Sequence, residues 1–163
     1  MLVKTRHEDN SVHPLATAAG LPAGVEVLTL AELRGRAGAA RLSRPLRSDK
    51  HHLLTLTAGS LRHSVDFTDY PLKSGDWLWA RPGQVQQWDG LEGAEGTLVM
   101  FDGEFLDPDT AIEAGSEDTH APVVRVPDAE DHPILRVAAS QLQWEFGAAR
   151  LLPLGTRLQI LRH

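Results

Sequence analysis

The chain has 163 residues, 42% of them hydrophobic and 23% charged, which is enough to bury a core without metal or disulfide staples. It has no cysteine, so disulfides, cysteine-held zinc and thiol chemistry are excluded. Its 16 basic and 22 acidic residues, net charge −6, argue against these residues gripping nucleic-acid phosphates themselves.

Residues 1–24 read as an irregular arm, broken by Pro14, Gly20, Pro22 and Gly24. They lack the apolar stretch of a signal peptide. No apolar run in the chain approaches the roughly 18–20 residues of a membrane span, so a cytoplasmic location is expected. Thr29-Leu30-Ala31-Glu32 is a capping box, in which the Thr29 hydroxyl accepts a backbone N–H and Glu32 reaches back to the cap amide. The short helix it opens, over 30–36, is expected to end at Gly38.

From 51 to 101 the period changes to two. Residues 51–57 form a strand ending at Ala58-Gly59-Ser60. Residues 61–67 alternate, Arg62 and Ser64 against His63, Val65 and Phe67, and turn at Thr68-Asp69. Trp77-Leu78-Trp79-Ala80 follows the Gly75-Asp76 turn and stops at Pro82-Gly83. Residues 85–88 and 97–101 add two strands around a glycine-rich segment. Short strands with turn signals every eight to twelve residues or about that define an all-β sandwich or barrel.

Residues 102–118 are acidic and read as loop, with one helical turn around 104–106, and 123–126 read as one more strand. Pro133 suits a helix first turn. Ile134, Leu135, Val137, Ala138, Gln141, Leu142 and Glu145 then give a stripe at helical spacing. A second helix begins near 153, with Leu154, Leu158 and Leu161 on one side. It stops at His163 without glycine, proline or polar tail, so more chain is expected beyond it.

The most informative stretch is Tyr70-Pro-Leu-Lys-Ser-Gly75-Asp-Trp-Leu-Trp-Ala-Arg-Pro82-Gly-Gln-Val-Gln86-Gln-Trp88, preceded by Ala58-Gly59-Ser60 and Arg62-His63-Ser64-Val65-Asp66-Phe67. It resembles the second cupin motif and, more closely, the N-terminal domains of bacterial AraC-type transcription regulators. The resemblance covers about residues 25–105 in detail, and the helical tail in position and pattern. It implies a mainly β fold: a cupin-like (double-stranded β-helix, jelly-roll) barrel over 25–127, then helices over 128–163. A DNA-binding helix-turn-helix domain would follow residue 163, and DNA would be bound only there.

Metal-dependent cupins are similar to one another in using His-x-His plus glutamate in the first motif and a histidine three residues past Pro-Gly in the second. Counted from Gly59, the His-x-His positions fall at about Leu46 and Ser48 and the glutamate position at His52, while Gln86 occupies the second-motif histidine position. One imidazole and one amide do not make the three strong protein ligands of a catalytic metal. His51 and His52 are adjacent in a strand, point to opposite faces and cannot share a metal. No metal or other cofactor is expected. Neither Gly-x-Ser-x-Gly nor a phosphate-binding glycine loop is present, so no catalytic residue is expected either.

The resemblance implies a ligand pocket formed by Arg44, His52, Gln86 and Trp88. His52 and Gln86 stand at former ligand positions, Trp88 follows Gln86 on the same strand face, and Arg44 precedes the first barrel strand. Such a set would suit a small polar or aromatic effector. The residues themselves allow a filled barrel as well, with Trp88, Trp79 and Leu54 as core and His52 satisfied by a backbone group. The resemblance further implies a homodimer through Leu135, Leu142, Leu154, Leu158 and Leu161, although the first helix can equally pack on its own barrel. The function expected is an effector-binding and dimerisation domain that controls transcription. The alternatives are a cupin-fold isomerase or dioxygenase and a stand-alone small-molecule-binding cupin.

Overall fold

A computed structural model describes residues 24–149. The strands are β1 (Val25–Thr29), β2 (Leu46–Arg47), β3 (His51–Val65), β4 (Thr68–Lys73), β5 (Trp77–Ala80), β6 (Val85–Asp89), β7 (Ala94–Phe101) and β8 (Val124–Arg125). The helices are α1 (Leu30–Ala37), α2 (Ala39–Leu42), α3 (Pro108–Ala114) and α4 (Asp131–Ala149). The arm up to residue 23 and the second helix expected near 153, with Leu154, Leu158 and Leu161, lie outside the described residues.

The long strand β3 organises the barrel. Its first half pairs with β7 and β5, as in His51↔Phe101 and His52↔Ala80, within a sheet ordered β1-β7-β3-β5-β8. Its second half pairs with β4 and β6, as in His63↔Tyr70 and His63↔Trp88, and β6 pairs with β2. All these pairings are antiparallel. A strand shared by two sheets must bend, and the register shift between Leu56 and Ala58 is where it does so. Gly59 beside it has φ +74°, and a Cβ there would stand 1.9 Å from the Gly93 carbonyl oxygen. The segment Ala58-Gly59-Ser60, expected to end a strand, is therefore a bulge inside one.

Two further expectations change. The turn expected at Thr68-Asp69 falls at Asp66-Phe67, both in the left-handed region (φ 49° and 65°), and Thr68 already belongs to β4. Pro71 hid that strand in the sequence, and it is tolerated because β4 pairs with β3 alone among the described strands, as an edge. The acidic stretch 102–118 contains a 3-10 turn, Gly103–Phe105, near the expected place, but also helix α3. That helix has clear local causes: Asp107 accepts from the Thr110 N–H at 3.0 Å, Pro108 suits the first turn, and Gly115 ends it at φ 64°. The expected capping box is present, with Glu32 N–H to Thr29 Oγ1 at 3.1 Å and Thr29 N–H to Glu32 Oε2 at 2.8 Å. Gly38 caps the end of α1 as expected.

Strand alternation sorts the core into two layers. Leu54, Leu56, Leu61, Val65, Leu72, Leu78, Trp88, Leu98 and Met100 form one buried cluster inside the barrel, joined by Leu30 and Leu33 of α1. Val25, Val27 and Phe101 form another on the outer face of the larger sheet, and Phe146 of α4 completes it. Trp79, which the filled-barrel alternative places in the core, packs against this outer cluster instead. The architecture is thus mainly β, a cupin-like barrel followed by a helix that docks on its outside.

Candidate functional site

Three of the four residues expected to line a pocket meet inside the barrel. His52, Gln86 and Trp88 are all buried. His63, which sequence reasoning passed over, joins them and is fully enclosed at 0% exposure. The signal for it was available, since His63, Val65 and Phe67 alternate against Arg62 and Ser64. His63 and Val65 do face inward, while Phe67, at the hairpin tip, is exposed. Arg44 does not join them: it follows α2 and is exposed, because the chain between α2 and β2 runs over the surface.

Two side-chain hydrogen bonds hold these groups. Gln86 Oε1 lies 3.1 Å from His63 Nε2, so that nitrogen donates and His63 Nδ1 carries the lone pair. His52 Nε2 lies 3.1 Å from the Ser48 hydroxyl, a side-chain partner where the filled-barrel alternative has a backbone group. Trp88 stands edge-on to His63, ring centroids 4.3 Å apart. The Nδ1 atoms of both His52 and His63 are buried and have no hydrogen-bond partner.

Burial pushes the His52 imidazole down to about 4, with the neighbouring His63 adding to the effect and Gln86 partly opposing it. Burial likewise pushes His63 down to about 4, again with Gln86 opposing. Both rings are therefore neutral near pH 7. Chemically the interior offers two imidazole nitrogens, an amide and a hydroxyl in an otherwise apolar surround. No group of three histidine, aspartate or glutamate side chains placed to hold a metal occurs among the described residues.

Two clefts lined by described residues lie outside the barrel. The larger, about 290 Å³, runs between α2 and the end of β6, lined by Leu42, Ser43, Trp88, Asp89 and Leu91. The smaller, about 30 Å³, lies where His132 and Arg136 of α4 meet Thr55, Gly75 and Trp77. Trp88 is thus shared between the barrel interior and the larger cleft.

The expected dimer residues on α4 divide. Leu135 is half-buried on the side of the helix that carries Ala139 and Phe146, both buried. Leu142 is 36% exposed, while Ile134, Val137 and Trp144 on the opposite side are 67%, 65% and 73% exposed.

Fold and interior together define a cupin-like barrel domain with a small polar set at its centre. No protein-family model matches the chain, and no curated protein matches it. Among solved structures it is similar to the AraC-like transcriptional activator CuxR, at 12% identity and TM-score 0.45 over 85% of this chain and 46% of that one. It is similar to ToxT of Vibrio cholerae with a bound unsaturated fatty acid, at 9% identity and TM-score 0.41 over 81% and 52%. It is also similar to a predicted oxalate decarboxylase from Thermotoga maritima, at 17% identity and TM-score 0.31 over 34% and 50%. The chain spans about half the length of each of these proteins.

Proposed function

We propose that this chain is the effector-binding and dimerisation domain of an AraC-type transcription regulator, and not an enzyme. One observation carries the reading: inside a leucine-rich barrel, His52 and His63 each keep a buried Nδ1 with no partner. An unmade buried hydrogen bond costs about 1–3 kcal/mol, a cost that a leucine in either place would not incur. His63 Nδ1 is an acceptor, so it suits a ligand hydroxyl or N–H, and the Trp88 ring beside it suits an apolar or aromatic face. A small hydroxylated effector is the class that matches. The exposed side of α4 supports a second copy of the chain as partner, and the acidic charge leaves DNA to a domain after residue 163. The reading sets the domain in the cytoplasm; no described helix is long and apolar enough to cross a membrane.

The test is a thermal-shift screen of sugars and hydroxylated aromatics against the intact chain and a Gln86→Leu variant. A compound that raises the midpoint of the native chain but not of the variant supports the barrel site. If no compound does so, or if one acts equally on both, the effector reading fails.

A cupin-fold enzyme is the second reading, favoured by the presence of two imidazoles and Gln86 in one interior. Elemental analysis of the purified chain distinguishes them. Near-stoichiometric iron, manganese or zinc, lost together in His52→Leu and His63→Leu, would replace the regulator reading.

A further inference from the structure

On the face of β3 opposite His52, three buried side chains tied together through Trp79 and Gly115 keep donors without partners. His51 is 0% exposed, its ring stacked on Phe101 with centroids 4.8 Å apart. Its Nδ1 accepts from the Trp79 indole N–H at 3.2 Å. A neutral imidazole carries one hydrogen, so Nε2 holds it, and Nε2 has no partner. Arg81 is 2% exposed and lies 4.7 Å over the Trp79 ring. Its Nε donates to the Gly115 carbonyl at 3.1 Å, while Nη1 and Nη2 donate to nothing. Ser116, next in the chain, is 1% exposed with an unpartnered hydroxyl.

The three open groups are linked by contact: His51 to Trp79, Trp79 to Arg81, Arg81 to Gly115, and Gly115 to Ser116 by the chain. A guanidinium held out of water with two nitrogens unused is costly unless an acceptor meets it. All three groups can donate and none needs a donor, so what completes the site is an acceptor. A planar fork matches the two oxygens of a carboxylate or those of a phosphate.

The surroundings choose between them. The exposed Glu117 and Asp118 act through space on His51 and Arg81 respectively, and Arg125 adds a second positive charge near Arg81. Two acids against two arginines already balance, so a dianion is disfavoured more strongly than a monoanion. Room for a carbon atom exists before Nε2: a Cβ placed on Gly103 would sit 3.6 Å from His51 Nε2 and 3.5 Å from Glu117 Oε1, in ordinary contact.

We infer that the outer face of the β1-β7-β3-β5-β8 sheet, beneath the loop after α3, binds a small monocarboxylate through Arg81, Ser116 and His51. This site is separate from the barrel interior and does not depend on the effector reading. The probes are acetate and benzoate, titrated at constant ionic strength against sodium chloride and followed by thermal shift and by the His51 Nε2–H proton resonance.

Acetate or benzoate should raise the midpoint saturably and move the His51 resonance, with phosphate weaker than either. Arg81→Leu, which removes the buried charge, should fold without loss of stability yet abolish the response. Gly103→Ala, which leaves all three donors in place, should keep the native midpoint and weaken binding at least tenfold. Gln86→Leu should respond like the native chain. The inference is overturned if the carboxylates do no more than chloride, if phosphate binds more tightly, if Arg81→Leu still responds, or if the response is lost in Gln86→Leu and kept in Arg81→Leu.

Discussion

Trp88 and His63 are direct cross-strand partners on β6 and β3, and their rings meet edge-on at 4.3 Å inside the barrel. The aromatic most suited to a ligand is therefore already engaged with the imidazole most fully enclosed. Trp88→Ala would remove a buried ring and the edge contact together, and a cost of about 3–5 kcal/mol is expected. Trp88→Phe keeps a ring against His63 and should cost less than half as much. Urea denaturation of both variants checks this; equal losses would mean that the ring contact itself contributes little.

The two low-pKa histidines set a pH dependence with a definite sign. The unfolded chain takes up these protons near pH 6.5, whereas the folded chain resists until about pH 4. Between those values the unfolded state binds more protons, so stability is complete above pH 6.5 and is lost as pH falls toward 4. Each histidine accounts for about 1.4 kcal/mol per pH unit across that window. The denaturation midpoint should fall steeply from pH 6.5 to 4, and His63→Gln should make the decline shallower. An unchanged slope in that variant would show that His63 is not among the groups responsible.

A third expectation concerns the β3–β4 hairpin. Asp66 earns its place at the tip: its carboxylate accepts from Val85 N–H and from Gln84 Nε2, both at 2.9 Å. Phe67 beside it is 77% exposed and sits at φ 65°, where a Cβ is strained and glycine is at ease. Phe67→Gly should stabilise the fold by about 1 kcal/mol. Asp66→Ala should destabilise it by about 1–3 kcal/mol through the two lost acceptors. Thermal denaturation of the pair tests both; a destabilised Phe67→Gly would mean that the exposed ring makes a contact of its own.

Much of this was legible in the residues, and the exceptions have causes. The resemblance implied the inward directions of His52 and Gln86 through their motif positions, and alternation carried Trp88 with Gln86, because side-chain direction in a strand is a local property. The capping box at Thr29 and Glu32 was legible for the same reason. The continuity of β3 was not, since Gly59 reads as a turn until the Gly93 carbonyl is brought against it by β7. The filled-barrel alternative puts Trp79 in the core because sequence shows alternation but not which face is covered from outside, and here Phe105, Leu106 and Phe146 cover the outer one. Arg44 was carried by position along a motif, which does not fix how the chain between α2 and β2 crosses the surface. Arg81 and Gly115 are distant in sequence and meet only because the loop after α3 folds back on the sheet.

The last expectation separates docking from dimerisation on α4. Ala139 and Phe146 face the barrel, whereas Ile134, Val137 and Trp144 lie on the opposite side and are exposed. If that outer side pairs two chains, replacing all three by lysine should convert a dimer to a monomer in sedimentation velocity. Because those side chains touch little within their own chain, the thermal midpoint at high dilution should move by less than about 0.5 kcal/mol equivalent. Phe146→Ala should do the reverse, costing about 3–5 kcal/mol by opening the cluster with Val25, Val27 and Phe101. A triple variant that unfolds the domain, or one that sediments as the native chain does, would remove the outer stripe as the dimer interface and return that role to residues beyond α4.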